Sequence, residues 1–259
     1  LPGVIAMLGY MLVIRIMVAW KSEIGPAGPR APWPERLRAL AAVAPVFGVF
    51  AVVIIGIYGG WANPTEAASI GAAACGVLAV VTGGMRGKGF LESIYGTAHA
   101  TGMIFMVLIG ADLLNSSLAL SQMPGELAHW VKDSGLPPLL VLLSILLIYI
   151  LLGCVMDSLA MILLTIPIFY PMIMGLDFFG MPVEDKSVWF GILALMVLEI
   201  GLVHPPVGMN LYVINKLAKD VPMKETAIGV MPFLASDFLR IILLVFVPGL
   251  SLALVHWLG

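Results

Sequence analysis

Two short interruptions of strongly apolar sequence carry the groups on which chemistry could be built. The first, Gly153-Cys-Val-Met-Asp157-Ser158, puts a glycine, an acid and a hydroxyl between two apolar arms, the second of which holds Pro167 and Pro171. The other, Gly201-Leu-Val-His-Pro-Pro-Val-Gly-Met-Asn210, sets adjacent prolines beside a histidine, a glycine and an amide. Pro205 and Pro206 offer no amide donor and cannot continue an ideal helix, so nearby carbonyls lose their partners. Freed carbonyls suit a cation, and a half-helix beginning near Val207 aims the positive end of its dipole at an anion. That is a transport site in outline. The same residues also read more plainly, as a helix kink at the proline pair, a water-exposed turn at Asp157 and a packing histidine at His204.

Catalytic and cofactor patterns are missing. A phosphate-binding loop needs GxxxxGK followed by Ser or Thr, and the nearest run, Gly83-Gly-Met-Arg-Gly87-Lys88, is one residue short and precedes Gly89. Neither HExxH nor GxSxG occurs. The expectation is therefore a non-enzyme with no cofactor, driven by an ion gradient. Cys75 and Cys154 both lie in apolar sequence, which rules out a disulfide framework or zinc ribbon. A net charge of -2, with basic residues only in short clusters, excludes a nucleic-acid partner.

The elements that must position these breaks are membrane helices. Of 259 residues, 61% are hydrophobic and 11% charged, at a mean hydropathy of +1.08, which no aqueous surface tolerates. Apolar stretches of about 18 to 22 residues match helices crossing a hydrocarbon core of roughly 30 Å. Spans are expected at residues 1–20, 44–61, 66–82, 101–123 and 227–258, with interfacial amphipathic stretches from Trp33 to Val43 and around Phe90 to Ala98. Residues 124–135 read as a linker. Asn63-Pro64-Thr65-Glu66 reads as a helix start, and Ala67, Gly71, Cys75 and Ala79 form a small-residue stripe suited to close packing. Residues 136–174 form two apolar arms that either cross the bilayer twice or dip in and return. Residues 188–218 form a span broken at its middle. Nine of the 13 basic residues fall on one side of this arrangement, which the positive-inside rule makes cytoplasmic. No charged n-region precedes the first apolar run, so the chain looks like a fragment or a processed piece.

Three stretches, in order, resemble the large membrane subunit of tripartite ATP-independent periplasmic (TRAP) transporters, within the wider ion transporter superfamily. They are Gly56-Ile-Tyr-Gly-Gly-Trp-Ala-Asn-Pro-Thr-Glu-Ala-Ala68; Gly153-Cys-Val-Met-Asp157 with Pro167-Ile168 and Pro171; and Trp189-Phe-Gly-Ile192 leading to Glu199 through Asn210. The resemblance covers essentially the whole chain. It implies an all-α, polytopic integral membrane protein with a re-entrant hairpin (136–174) and a broken transmembrane helix (188–218), the second inverted repeat of an elevator-type transporter. Residues 1–135 would hold scaffold helices, interfacial arms and the span leading to the hairpin; residues 136–226 the transport unit; residues 227–259 the last transmembrane helix.

The resemblance also implies sodium at Gly153, Met156, Gly201, His204 and Val207, mainly through carbonyls, with Asp157, Ser158, Pro205, Pro206 and Asn210 on the substrate side. The family often has threonine where this chain has His204, so a side-chain hydroxyl ligand is lost there. It implies sodium symport of organic acids such as C4-dicarboxylates or sialic acid across the bacterial inner membrane, with a periplasmic binding protein and a small membrane subunit as partners in the lipid bilayer. An ion channel, a structural membrane subunit or an intramembrane enzyme are the competing functions.

Overall fold

The computed structural model describes residues 1–25, 28, 30–205, 208–217 and 221–258. Among them the secondary structure is helical: α1 (Pro2–Trp20), a 3-10 turn (Ser22–Ile24), α2 (Trp33–Tyr58), α3 (Pro64–Val81), α4 (Gly87–Leu120), α5 (Met123–Asp133), α6 (Pro138–Gly153), α7 (Ser158–Met174), α8 (Val183–Val203), α9 (Met209–Leu217), α10 (Met223–Phe246) and α11 (Gly249–Leu258). Six of these, α1, α2, α3, α4, α8 and α10, are long and apolar enough to cross a membrane. Two compact units emerge, Pro26–Ile104 and Leu1–Gly25 with Phe105–Gly259, the boundary falling inside α4.

In the first unit α2 packs on α3. Gly71 lies so close to α2 that a Cβ there would sit 3.0 Å from Val53 Cγ2, and Ala67 is 1% exposed, so part of the small-residue stripe is the contact face. Cys75, one step further along it, is exposed. The start of α3 is fixed by a reciprocal cap: Asn63 Oδ1 accepts from the Glu66 amide at 2.9 Å, and the Glu66 carboxylate accepts from the Asn63 amide at 3.0 Å. Asn63→Ala is expected to cost about 1 kcal/mol locally; the check is hydrogen exchange, with several-fold faster exchange expected at the Glu66 amide. Within α2 only Gly56 is buried. A helix that apolar with its surface uncovered needs lipid or another apolar surface around it.

Four segments differ from the sequence expectation. Trp33–Val43 and the following span form one continuous helix, α2, because Pro45 is accommodated inside it. The stretch around Phe90 likewise runs without interruption into the next span as α4, 34 residues long. Isolated glycines such as Gly96 and Gly102 weaken a helix but do not end it. The linker at 124–135 is the helix α5, with Pro124 at its first turn and Glu126 near its positive end. Finally, the last span divides into α10 and α11 at Val247-Pro248.

The second unit has the only extended core among the described residues, built from α6, α7, α8 and α10 around Tyr149, Trp189, Phe190 and Leu244, all at most 1% exposed. Here α6 and α8 make the largest helix–helix contact. Polar groups within the core are paired with backbone: Trp189 Nε1 donates to the Leu244 carbonyl at 2.9 Å, and buried Lys186 donates to the Leu176 carbonyl at 2.6 Å, capping the turn after α7. On the other side of the unit α1 packs on α10. Tyr10 donates to Asp237 Oδ2 at 2.7 Å, and Asp237 pairs with Arg240, three residues further along α10, at 2.8 Å.

Candidate functional site

Both sequence breaks fall in the second unit. Helices α6 and α7 are 16 and 17 residues long. At a rise of about 1.5 Å per residue each is roughly 24 to 26 Å long, short of a full hydrocarbon core. The arms are tied together near the tip, where the Thr165 and Tyr149 hydroxyls lie 3.0 Å apart and Phe169 meets the Tyr149 ring edge-on at 5.4 Å. The turn itself closes by Val155 and Met156 amides donating to the Leu152 carbonyl at 3.0 and 2.8 Å. Asp157 then caps α7, accepting from the Leu159 and Ala160 amides at 3.1 and 3.4 Å.

Helix α8 ends at Val203 and α9 begins at Met209. The proline pair supplies the reason: in a continuous helix Pro205 and Pro206 would have to donate to the Gly201 and Leu202 carbonyls, and neither has an N–H. The Gly201 carbonyl instead accepts from His204 N at 3.2 Å, a tighter turn. Gly208, buried with φ +28, sits where a Cβ would lie 3.0 Å from the His204 carbonyl oxygen and 3.2 Å from that of Leu202. Two carbonyl oxygens therefore converge on one point beside Gly208.

The hairpin tip lies directly on this break. A Cβ on Gly153 would be 2.9 Å from Gly201 Cα and one on Gly201 would be 2.8 Å from Gly153 Cα, so the two helix ends touch backbone to backbone. One residue on, Cys154 Sγ is 3.3 Å from the Ile150 carbonyl and 3.9 Å from that of His204. The His204 carbonyl thus faces the tip, whereas its ring packs edge-on against Phe238 at 6.1 Å. Its Nδ1 is buried with no hydrogen-bond partner among the described residues.

Of the residues expected to bind sodium, the fold brings together Gly153, Gly201 and His204. Met156 is half-buried and packs against the core. Val207 lies outside the described residues, as does Pro206 on the substrate side. Asp157 is exposed and committed to the α7 cap, Ser158 and Pro205 are half-buried, and Asn210 is exposed in the first turn of α9. The acids Glu199 of α8 and Asp112 of α4 are both exposed. Among the described residues no three His, Cys, Asp or Glu side chains gather as a metal site; the oxygens that converge beside Gly208 are the Leu202 and His204 carbonyls. Cys154 was not singled out by sequence, since nothing in a lone apolar cysteine points to a carbonyl fifty residues away.

Six apolar helices, with a short helical hairpin seated on a broken helix, define a multi-pass helical membrane protein. The chain belongs to the DctM component family of tripartite ATP-independent periplasmic transporters, whose sequence pattern matches residues 1–250. It is 32% identical over its whole length to the C4-dicarboxylate TRAP transporter large permease protein DctM of Pseudomonas aeruginosa, covering 58% of that protein. It is 28% identical to the sialic acid large permease SiaM of Vibrio cholerae over 98% of this chain and 57% of the relative. The ectoine/5-hydroxyectoine large permease UehC of Ruegeria pomeroyi is 30% identical over 88% of this chain and 52% of the relative. The chain thus spans little more than half the length of these relatives.

Proposed function

We propose that this chain supplies a re-entrant hairpin and broken helix to a permease that imports organic acids across the bacterial inner membrane by sodium symport. The observation that supports it is the convergence of the Leu202 and His204 carbonyls beside Gly208, under the hairpin tip at Cys154. Backbone breaks at membrane depth survive where they line a cavity or hold an ion, because an unmatched carbonyl costs several kcal/mol in hydrocarbon. In this reading sodium is a co-transported substrate held by the carbonyls of Gly153, Met156, Gly201, His204 and Val207. Asp157, Ser158, Pro205, Pro206 and Asn210 line the carboxylate side. The named relatives handle C4-dicarboxylates, sialic acid and ectoine; a small carboxylate is the class we carry to this chain. A periplasmic binding protein delivers it and a small membrane subunit braces the permease.

The hairpin and broken helix would move together, elevator-fashion, against a scaffold that includes α2 and α3. We place α1 with the moving part rather than with that scaffold, because it packs on α10 and Tyr10 is hydrogen bonded to Asp237. The test is the double substitution Pro205→Ala and Pro206→Ala in the complete transporter. Restoring two amide donors lets the helix re-form and occupies the acceptors, so the sodium concentration for half-maximal uptake is expected to rise at least about tenfold while insertion is retained. An unchanged sodium response would reduce the break to a packing kink and remove the site.

A further inference from the structure

Pro167 sits inside α7, so the Leu163 carbonyl one turn earlier has no helical donor. The gap is filled from another helix: Asn115 of α4 donates its Nδ2 to Leu163 O at 3.0 Å, across 48 residues of sequence. The same device recurs at Pro248, whose missing N–H leaves the Leu244 carbonyl to Trp189 Nε1 at 2.9 Å. Trp189, fully buried, contributes an aromatic body to the core whatever its N–H does. Asn115 is different. It brings an amide into a largely apolar helix, and its Oδ1 is buried with no hydrogen-bond partner among the described residues. A side chain present only to fill space would not introduce an unmatched acceptor. Its donor is the part that the structure uses.

We infer that Asn115 is a positioning residue for the hairpin, standing in for the amide that Pro167 lacks and so fixing where α7 lies. Besides the Tyr170–Ser187 contact to α8 further along the helix, the second arm is held by two polar contacts nearer the tip: Leu163 to α4 through Asn115, and Thr165 to α6 through the Tyr149 hydroxyl. Both contacts lie within about two turns of Ser158 along α7, so a shift of that helix is transmitted to the tip and to the carbonyls that it covers. The transport consequence rests on the function proposed above; the contact itself does not. An alternative use of Asn115 is as a lining group of the cavity of about 510 Å³ that it shares with Pro167, Gln122, Glu126 and His129. In that case Asn115 would respond to the room left beside residue 167 and not to the N–H that Pro167 lacks.

A double-mutant cycle in the complete transporter separates these. Asn115→Leu is made with Pro167 intact and again with Pro167→Ala, which returns an N–H to Leu163. Thermal unfolding in detergent and the sodium dependence of uptake are measured for all four proteins. With Pro167 present, Asn115→Leu is expected to lower the Tm by several degrees and raise the half-maximal sodium concentration about fivefold; in the Pro167→Ala background both shifts should shrink by at least about half. Equal shifts in the two backgrounds would overturn the inference and leave Asn115 a lining residue. Should Asn115→Leu fail to reach the membrane, Asn115→Ala carried through the same cycle reads the same coupling. Coupling in Tm alongside sodium-independent uptake by the unaltered protein would uphold the contact and reject the sodium reading.

Discussion

Gly201→Ala is expected to damage the protein more than any substitution among the exposed polar residues of the hairpin tip. Its new methyl would stand 2.8 Å from Gly153 Cα, 2.9 Å from the Ile150 carbonyl oxygen and 3.1 Å from the Gly153 carbonyl carbon. All three are backbone atoms of α6, so no side chain can swing aside. Relief requires α6 and α8 to separate along the largest helix–helix contact of the unit. Overpacking of this kind costs about 1–3 kcal/mol where a core can adjust, and a backbone neighbour places this case toward the upper end. The separation would also draw Cys154 off the His204 carbonyl, now 3.9 Å away, and open the junction proposed for sodium. Gly153→Ala meets Gly201 Cα at 2.9 Å and the Leu198 carbonyl at 3.2 Å and should behave alike. Gly191, on the same α8, has nothing within 4 Å of an added Cβ, so Gly191→Ala should be neutral or should stabilise the helix. Thermal unfolding of the three variants decides it. Equal melting for Gly201→Ala and Gly191→Ala would mean that the backbone contact does not hold the two helices.

What the sequence disclosed followed from local chemistry. Apolar length announced the membrane helices, the Pro205-Pro206 pair announced the break after α8, and Asn63 with Glu66 announced the start of α3, because each signal lies within a few residues of its effect. The signals misjudged were also local but divided. Pro45 was overruled by helical sequence on both sides, whereas Pro248 did end α10. Pro124 and Glu126 mark the start of α5 in a stretch that its polarity made look like a linker. The polar contacts inside the second unit lay beyond such reasoning. Asn115 meets Leu163 across 48 residues and Tyr10 meets Asp237 across 227, and a carbonyl orphaned by a proline does not say which helix will supply the donor. For the site, the two breaks could be seen as candidates; their meeting at Gly153 and Gly201 is a property of how α6 packs on α8.

Arg240→Leu is the second substitution expected to have a large effect. The Arg240 and Asp237 side chains are only 11% and 9% exposed, and their 2.8 Å contact is an ion pair without aligned hydrogen-bond geometry, since Asp237 Oδ1 has no hydrogen-bond partner among the described residues. Tyr10 satisfies the other carboxylate oxygen at 2.7 Å. Removing the guanidinium leaves a nearly buried carboxylate supported by one phenol, and breaking a buried pair from one side costs about 3–5 kcal/mol. Asp237→Asn should cost less. It leaves an amide oxygen for Tyr10, and the Arg240 guanidinium borders a cavity of about 190 Å³ that Glu199 also lines. Replacing both Asp237 and Arg240 by leucine should recover at least about half of the Arg240→Leu loss, because no lone charge is then left inside. The site of failure is specific as well. Tyr10 is the polar tie between α1 and α10, beside the edge-on contact of its ring with Phe233 at 5.6 Å, so Arg240→Leu should loosen α1 before the α6–α8 core. Hydrogen exchange should therefore quicken first in residues 2–20, with the core of α8 protected. Simultaneous loss of protection in α1 and α8 would show that the pair stabilises the unit as a whole and does not act as the fastening of α1.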